Sequence, residues 1–322
     1  MPAYSKANRH KRRLSEEQII AALGRLKCSQ QNLLRADDIG VLHSQGKLYV
    51  ATDSLVEGIH YLDAWLSPRD IAYKLFARNF SDFAVKGIRP EFALLNFGLR
   101  AEHAATRFVK PFLSELDALF TRFAITLIGG DTGRSLHDHF TLSFFGSSGR
   151  FIARQAASLK AGDSVFQIGC VGGSDTARTA LSKSKNLRAR DARYFKRPTF
   201  LHAYPKGLRP IAAIDQSDSV EKTLRLLAEA NSVELEIDLD QVQTAESVGK
   251  ISEGNALQVL SAAEDLAVFG LVSGGGKVSA ESSPAFRLIG KVKYIHKARP
   301  RVSYKLNGRN FTHRAKSFEH FG

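Results

Sequence analysis

The spacing of apolar and polar residues predicts strands that alternate with helices along the first half of the chain. Apolar side chains at every second position indicate strands, and apolar side chains three and four positions apart indicate helices. In chain order these patterns predict helix 15–26, strand 47–52, helix 68–87, strand 91–99, helix 103–124, strand 125–132 and strand 139–150. Ser15 is placed to cap the first helix, and Pro68 and Gly87 bound the second.

The second half continues the same alternation. The segment LKAGDSVFQIGCVGGSDTARTALSK predicts a strand, a glycine-rich loop and a helix, and residues 211–239 predict a strand, a helix and a strand. Residues 256–272 and 286–295 predict further sheet. This alternation in both halves indicates an α/β or α+β protein of two domains. We expect a basic arm with the first helix over 1–30, an N-terminal domain over 31–150 and a C-terminal α/β domain over 151–322.

The formal net charge of +14 is unusual for a small-molecule enzyme, and it is unevenly distributed. Positive charge collects in SKANRHKRR near the start, in RTALSKSKNLRARDARYFKRP, and in the tail from Arg287 to Lys316, which has no acidic residue. Such segments attract nucleic acid, acidic membrane surfaces or phosphorylated ligands. A solvated basic face without a dedicated partner explains them as well, and the N-terminal stretch also fits a disordered arm or a targeting sequence.

Other features narrow the class of protein. No apolar run approaches the roughly 18 residues that span a bilayer, so we expect a soluble, cytoplasmic protein. Cys28 and Cys170 lack the spacing of a disulfide framework or a zinc site. The run GLVSGGGKV is not a phosphate-binding P-loop, because its glycine spacing is wrong and Val278 stands where Ser or Thr is needed.

Aspartates recur where apolar runs give way to polar turns or short polar motifs. They are Asp37 and Asp38 in ADDIGVL, Asp53 in ATDS, Asp82 in NFSDFA, Asp131 in IGGDTG, and Asp215 and Asp218 in IDQSDS. Singly, Asp218 could cap a helix and Asp82 could lie on a polar helix face. Together, clustered carboxylates without Cys or convergent His are the ligand set of a hard cation, Mg²⁺ above all.

Eight motifs in order resemble the thiamine-monophosphate kinase family, which is related to aminoimidazole ribonucleotide synthetase and selenophosphate synthetase. The motifs are ADDIGVL, ATDSLVEGIHYL, AYKLFARNFSDFAVKGIRP, LIGGDTG, GRFIARQAASLKAGD, AIDQSDSV, SAAEDLAVF and KSFEHFG. The resemblance implies a two-domain α/β fold whose N-terminal domains pair into the central sheet of a homodimer. It also implies transfer of the γ-phosphate of ATP to thiamine monophosphate, giving thiamine diphosphate.

The resemblance assigns roles to residues by motif position. The residues that would face Mg²⁺ are Asp38, Thr52, Asp53, Asp82, Asp131, Asp215 and Asp218, of which Asp53, Asp82, Asp131 and Asp218 would be catalytic. Those that would contact ATP are Gly130, Asp131, Arg154 and Ser217. His60 and Glu264 would contact the acceptor, although a histidine like His60, taken alone, is more often a half-buried structural residue.

The departures from the family pattern fall mainly on the acceptor side. Ala51 stands at a Ser or Thr position, and Ser219 stands where SDGL has glycine. The motif GGEDYEL has become AAEDLAV, with changes at Ala262, Ala263, Leu266 and Ala267. Ala315 replaces an aromatic residue that contacts the acceptor, a loss on the order of 1 kcal/mol of ring binding. An alternative hypothesis is therefore a kinase-derived protein with little catalysis that binds RNA or serves as a structural component of a ribonucleoprotein.

Overall fold

The computed structural model describes residues 46–183, 187–274, 285–295 and 300–312, together with Ala22 and Arg25. The N-terminal arm, most of the helix predicted over 15–26, Asp37, Asp38 and Ala315 lie outside the described residues. The described residues form two compact units. The first contains the residues up to Phe76 and Pro90–Ser147, and the second contains Ala77–Arg89 and the residues from Ser148 onward.

The elements follow one another in a mixed α/β order. Up to residue 149 they are β1 (Tyr49–Val56), α1 (Pro68–Val85), β2 (Ile88–Arg89), β3 (Phe92–Leu99), α2 (Thr106–Phe123), β4 (Thr126–Arg134), β5 (His139–Gly146) and β6 (Ser148–Gly149). Thereafter they are β7 (Ser164–Ile168), α3 (Gly173–Ser182), α4 (Ala189–Lys196), β8 (Ala212–Asp215), α5 (Val220–Asn231), β9 (Val233–Asp238), a 3-10 turn (Leu239–Gln241), α6 (Ala256–Ser261), β10 (Val268–Val272), β11 (Phe286–Ile295), β12 (Arg301–Leu306) and β13 (Arg309–Phe311).

The first unit is built on a sheet of strand order β1-β5-β3-β4, in which only the β3–β4 pair is parallel. Alternate residues of β5, such as Phe140 and Phe144, are buried on one face. Helix α2 turns its apolar stripe toward that face, and the rings of Phe112 and Phe140 lie 4.6 Å apart. Alternation in the strands and helical spacing in α2 thus meet in one aromatic core.

The second unit contains a sheet of order β13-β12-β9-β11-β7-β10-β8, mostly antiparallel, with β9 and β12 parallel. Helix α5 begins after Ser219, whose side chain accepts a hydrogen bond from the amide of Lys222. Its buried residues Leu224 and Leu227 join the core that includes Phe269 of β10. Within the described residues, no helix is long and apolar enough to cross a membrane.

The sequence predicted most of these elements, with one clear error. Residues 256–261 form helix α6, although they were predicted as sheet, and only the segment from Val268 is a strand. Helix α4 and the β12–β13 hairpin were not predicted. The turn of that hairpin, Asn307-Gly308, has both residues at positive φ, as tight hairpin turns of this composition commonly do.

Candidate active site

Two of the predicted metal-facing carboxylates lie close together in the second unit. Asp82 lies on α1, and Asp215 ends β8, where its Oδ2 accepts a hydrogen bond from Ser81 Oγ at 3.2 Å. Both aspartates are half-buried, whereas Ser81 is fully buried. Tertiary structure therefore places the end of α1 beside the end of β8, which carries the AIDQSDSV motif.

Lys86 is the cation beside these carboxylates. Its Nζ donates to the carbonyl oxygen of Ala213 at 2.6 Å. Burial lowers the pKa of Lys86 to about 8, and the charge of Arg154 adds to this, while Asp215 and Asp82 act in the opposite direction. The region thus combines two carboxylates with two basic side chains, a pattern that favours ligands carrying both phosphate and metal.

Gln216 connects the two loops that carry the remaining candidates of the second unit. Its buried Nε2 donates to the carbonyl oxygens of Asp218 at 2.7 Å and Ala262 at 2.9 Å. Its Oε1 accepts from the amide of Asp265 at 3.0 Å. The carboxylate of Asp218 pairs with Lys222 Nζ at 3.0 Å instead of capping α5, because Ser219 takes the cap.

Glu264 is held in an unusual backbone conformation beside a cation. Its φ is 62° and that of Leu266 is 57°, both in the left-handed region. Its carboxylate lies 2.6 Å from the guanidinium of Arg78 on α1. Asp265, which lies between Glu264 and Leu266 in sequence, is buried. Its carboxylate accepts hydrogen bonds from the amides of Gly172 and Ser174, each at 2.7 Å.

The first unit carries Asp53 and Asp131, which its sheet does not bring together. Asp53 on β1 aligns with Leu142, Leu95 and Gly130 across the strands, whereas Asp131 aligns with Asn96. Residues paired across strands share a face of the sheet, and consecutive residues of one strand alternate between faces. Asp53 and Asp131 therefore belong to opposite faces, and two strands lie between β1 and β4. Their assignment to one magnesium site stays a prediction.

Thr52 and His60 of the first unit have structural partners. Thr52 Oγ1 accepts from Ser143 Oγ at 2.8 Å on the open face of the sheet. His60 Nδ1 accepts the amide of Val56 at 3.0 Å and so holds the turn after β1. If His60 contacts the acceptor substrate, as predicted, it would therefore do so through Nε2.

Gly130, predicted to contact ATP, has a second reason to be glycine. A Cβ at this position would lie 1.8 Å from the carbonyl oxygen of Leu95 on the paired strand. In the second unit, Arg154 and Ser217 have exposed side chains, and the carbonyl oxygen of Ser217 accepts the amide of Glu264 at 3.2 Å. The exposed positions of Arg154 and Ser217 leave both accessible to a ligand.

Asp63, His103 and Asp138 form a separate group in the first unit, with potential metal-ligating atoms within 4.8 Å of one another. Arg100 pairs with Asp63, and its guanidinium lies 3.5 Å from the buried Asp138, which also contacts His103 Nδ1. Burial raises the pKa of Tyr61, and the charges of Asp138 and Asp63 raise it further. Because the guanidinium of Arg100 already pairs with both acids, the group is an ion-pair network that fastens the loop after β3.

Two family departures have local explanations. Ser219, at a family glycine position, has an ordinary φ of −62° and caps α5. Ala262, at another, has a φ of −68° and is buried. Neither position requires a glycine in this chain, so the substitutions fit the backbone without strain.

Comparison with known proteins identifies the family. Residues 36–148 match the family model for the AIR synthase related protein, N-terminal domain. The thiamine-monophosphate kinase of Salmonella typhimurium is 32% identical over 242 residues, which are 71% of this chain and 73% of that protein. The chain belongs to the thiamine-monophosphate kinase family. The Escherichia coli K12 kinase is 31% identical over 241 residues, with 71% and 73% of the two chains covered.

Solved structures confirm the α/β fold of this family. The thiamine-monophosphate kinase of Stenotrophomonas maltophilia K279a matches with a TM-score of 0.73 and 24% identity, over 90% of this chain and 94% of that one. The structure of AaThiL complexed with AMPPCP and TMP matches with a TM-score of 0.69 and 22% identity, over 96% and 97%. The structures show the fold, whereas the relatives of 31% and 32% identity confirm the family resemblance. Together the comparisons do not favour the ribonucleoprotein alternative.

Sequence reasoning about the kinase motifs missed Arg78, Ser81, Lys86, Gln216 and Asp265. All five lie inside quoted motifs, but their partners are distant in sequence. The sequence near Lys86 shows only that a lysine stands between the end of a helix and a glycine, and this does not indicate that its side chain reaches Ala213. No spacing rule pairs Arg78 with Glu264.

Proposed function

We propose that this chain is an ATP- and Mg²⁺-dependent phosphotransferase that converts thiamine monophosphate to thiamine diphosphate. The grouping of Asp82 and Asp215 around Lys86 supports it from the structure. Relatives of 31% and 32% identity that are thiamine-monophosphate kinases support it from the comparisons. ATP and thiamine monophosphate are then the small-molecule substrates.

The residues fit Mg²⁺. Asp82, Asp215 and Asp218 are half-buried carboxylates that offer hard oxygen ligands, and Asp53 and Asp131 offer the same chemistry in the first unit. When bound, Mg²⁺ supplies positive charge that reduces the repulsion between the acceptor phosphate and the triphosphate. Lys86 and Arg154 add fixed positive charge beside Asp215 and Asp82.

The reaction needs no strong general base. The second pKa of a phosphate monoester is about 6, so the attacking oxygen is already anionic at neutral pH. The residues of this chain then contribute by binding and orienting the two polyanions and by screening the repulsion between their charges. Gln216 contributes because it holds Asp218 and the Glu264 segment in one arrangement.

Formation of ADP tests the proposal. Purified protein is assayed with ATP, Mg²⁺ and thiamine monophosphate, beside the variants Asp215→Asn and Glu253→Gln. Asparagine retains an acceptor for Ser81, so the first variant should fold but lose at least about 100-fold in kcat/KM. Glu253 is exposed, and its variant should match the wild type. Equal turnover by Asp215→Asn and wild type, or no ADP from the wild type, would refute the proposal.

Three further features belong to the same proposal. The active form is a homodimer, in which the first units of two copies pair, and sedimentation should give twice the mass of the 322-residue chain. The protein is cytoplasmic, which fractionation of cells would test. Nucleic-acid contact through the basic segments stays a prediction: retention on RNA at low salt that falls steeply with added salt would support it.

A further inference from the structure

Arg78 and Glu264 form a close ion pair within the second unit. The guanidinium Nη1 lies 2.6 Å from Glu264 Oε1, and the two side chains are only 15% and 23% exposed. Partial burial weakens solvent screening, so each charge largely cancels the field of the other at this position. The guanidinium of Arg78 therefore offsets the negative charge of Glu264 at this position.

The backbone keeps Glu264 in this pair. The left-handed conformations of Glu264 and Leu266 are unfavourable for residues with a side chain, and they persist because neighbouring hydrogen bonds hold them. The amide of Glu264 donates to Ser217 and that of Leu266 to Gln216, each at 3.2 Å. The carboxylate is thus presented from a strained, anchored segment, as is common at ligand sites.

The charge state of this position matters because the thiazolium ring of thiamine monophosphate carries a permanent positive charge. An unpaired glutamate beside the ring would favour a cation over an uncharged ring of the same shape. Arg78 removes that preference by neutralising Glu264. Leu266 is 3% exposed and offers little ring surface in compensation.

We infer that Arg78 is a specificity-determining residue, which makes this chain accept phosphate monoesters of uncharged heterocycles about as readily as that of the thiazolium. The inference rests on the proposed function and on the acceptor contact that the family resemblance assigns to Glu264. Arg78 acts through Glu264, so its effect is on selectivity between acceptors and not on the reacting atoms.

Calorimetric binding tests the inference with two ligands. One is thiamine monophosphate, and the other is its isostere with an uncharged thiophene ring in place of the thiazolium. The wild type should bind them within about threefold of each other, and Arg78→Met should shift the Kd ratio about tenfold toward the cation. Arg78→Lys should preserve the wild-type ratio, and the double variant Arg78→Met with Glu264→Gln should restore it.

The control is Arg225→Met, which removes the exposed Arg225–Glu229 pair of α5 at 2.8 Å and should leave the ratio unchanged. Both ligands are measured on the same variant, so a change in stability alone does not move the ratio. A wild type that already prefers the cation tenfold, or a ratio indifferent to Arg78→Met, overturns this inference. If the wild type binds neither phosphate, the inference fails together with the proposed acceptor; absence of ADP despite binding contradicts only the proposed catalysis.

Discussion

The side-chain carbonyl of Gln216 accepts a hydrogen bond from the backbone amide of Asp265 at 3.0 Å, and this bond joins the loop after β8 to the segment before β10. The amide nitrogen of the same side chain donates to the carbonyl oxygens of Asp218 and Ala262. One buried glutamine therefore satisfies three backbone groups that belong to two candidate ligand loops.

Replacement of Gln216 by leucine should destabilise the protein. The carbonyl oxygen of Asp218 and the amide of Asp265 would lose this partner, whereas the carbonyl oxygen of Ala262 keeps the amide of Val220 at 3.1 Å. The expected loss in the free energy of unfolding is about 2–4 kcal/mol. Urea denaturation measures it, with Gln258→Leu as the control because Gln258 is exposed on α6. If the two variants unfold at the same urea concentration, Gln216 does not hold these loops.

Asp265 should make stability depend on pH. Burial raises the pKa of this carboxyl to about 7, with a contribution from Asp175, against the opposing amides of Ser174 and Gly172. Between about pH 4 and 7 the unfolded chain ionises first, so the free energy of unfolding should fall by up to about 1.4 kcal/mol per pH unit as pH rises.

Above pH 7 this dependence should end, because Asp265 is then ionised in both states. The variant Asp265→Asn cannot ionise and should lack this component of the pH slope. Denaturation curves at several pH values measure it, with the exposed Asp240→Asn as the control. Parallel pH profiles for Asp265→Asn and the wild type would contradict the prediction.

Gly130 should tolerate no side chain, in contrast to Gly133 on the same strand. A Cβ at Gly130 would lie 1.8 Å from the carbonyl oxygen of Leu95, whereas nothing lies within 4 Å of one at Gly133. We expect Gly130→Ala to lower the free energy of unfolding by at least about 2 kcal/mol, and Gly133→Ala to change it by less than about 0.5 kcal/mol. Similar thermal unfolding of both variants would show that the β3–β4 pair relaxes freely.

Asp53 should be needed for catalysis, unlike its neighbour Ser54. Ser54 belongs to the opposite face of β1, where its Oγ lies 2.7 Å from Thr141 Oγ1. Asp53→Asn should reduce ADP formation by about 100-fold or more, since it removes a charged ligand, and Ser54→Ala should change it by less than about threefold. Steady-state kinetics would decide, and an active Asp53→Asn enzyme would remove Asp53 from the metal site.

The hairpin β12–β13 shows where a local signal was present but unused. Asn307-Gly308 is a strong turn signal, and Tyr304 and Leu306 before it alternate as a strand does. Residues 256–261 show the opposite case. Six apolar-rich residues fit a strand or a short helix equally by periodicity, and packing of Ala256, Val259 and Leu260 decided for a helix.

Local patterns in the sequence were sufficient to predict the alternating strands and helices, the family, and the aspartates that end apolar runs, because each of these depends on residues close together in the chain. Tertiary structure alone decided that Ser81 contacts Asp215, that Arg78 neutralises Glu264, and that the faces of the first sheet separate Asp53 from Asp131. Such contacts join residues up to 186 positions apart, and no local periodicity encodes them.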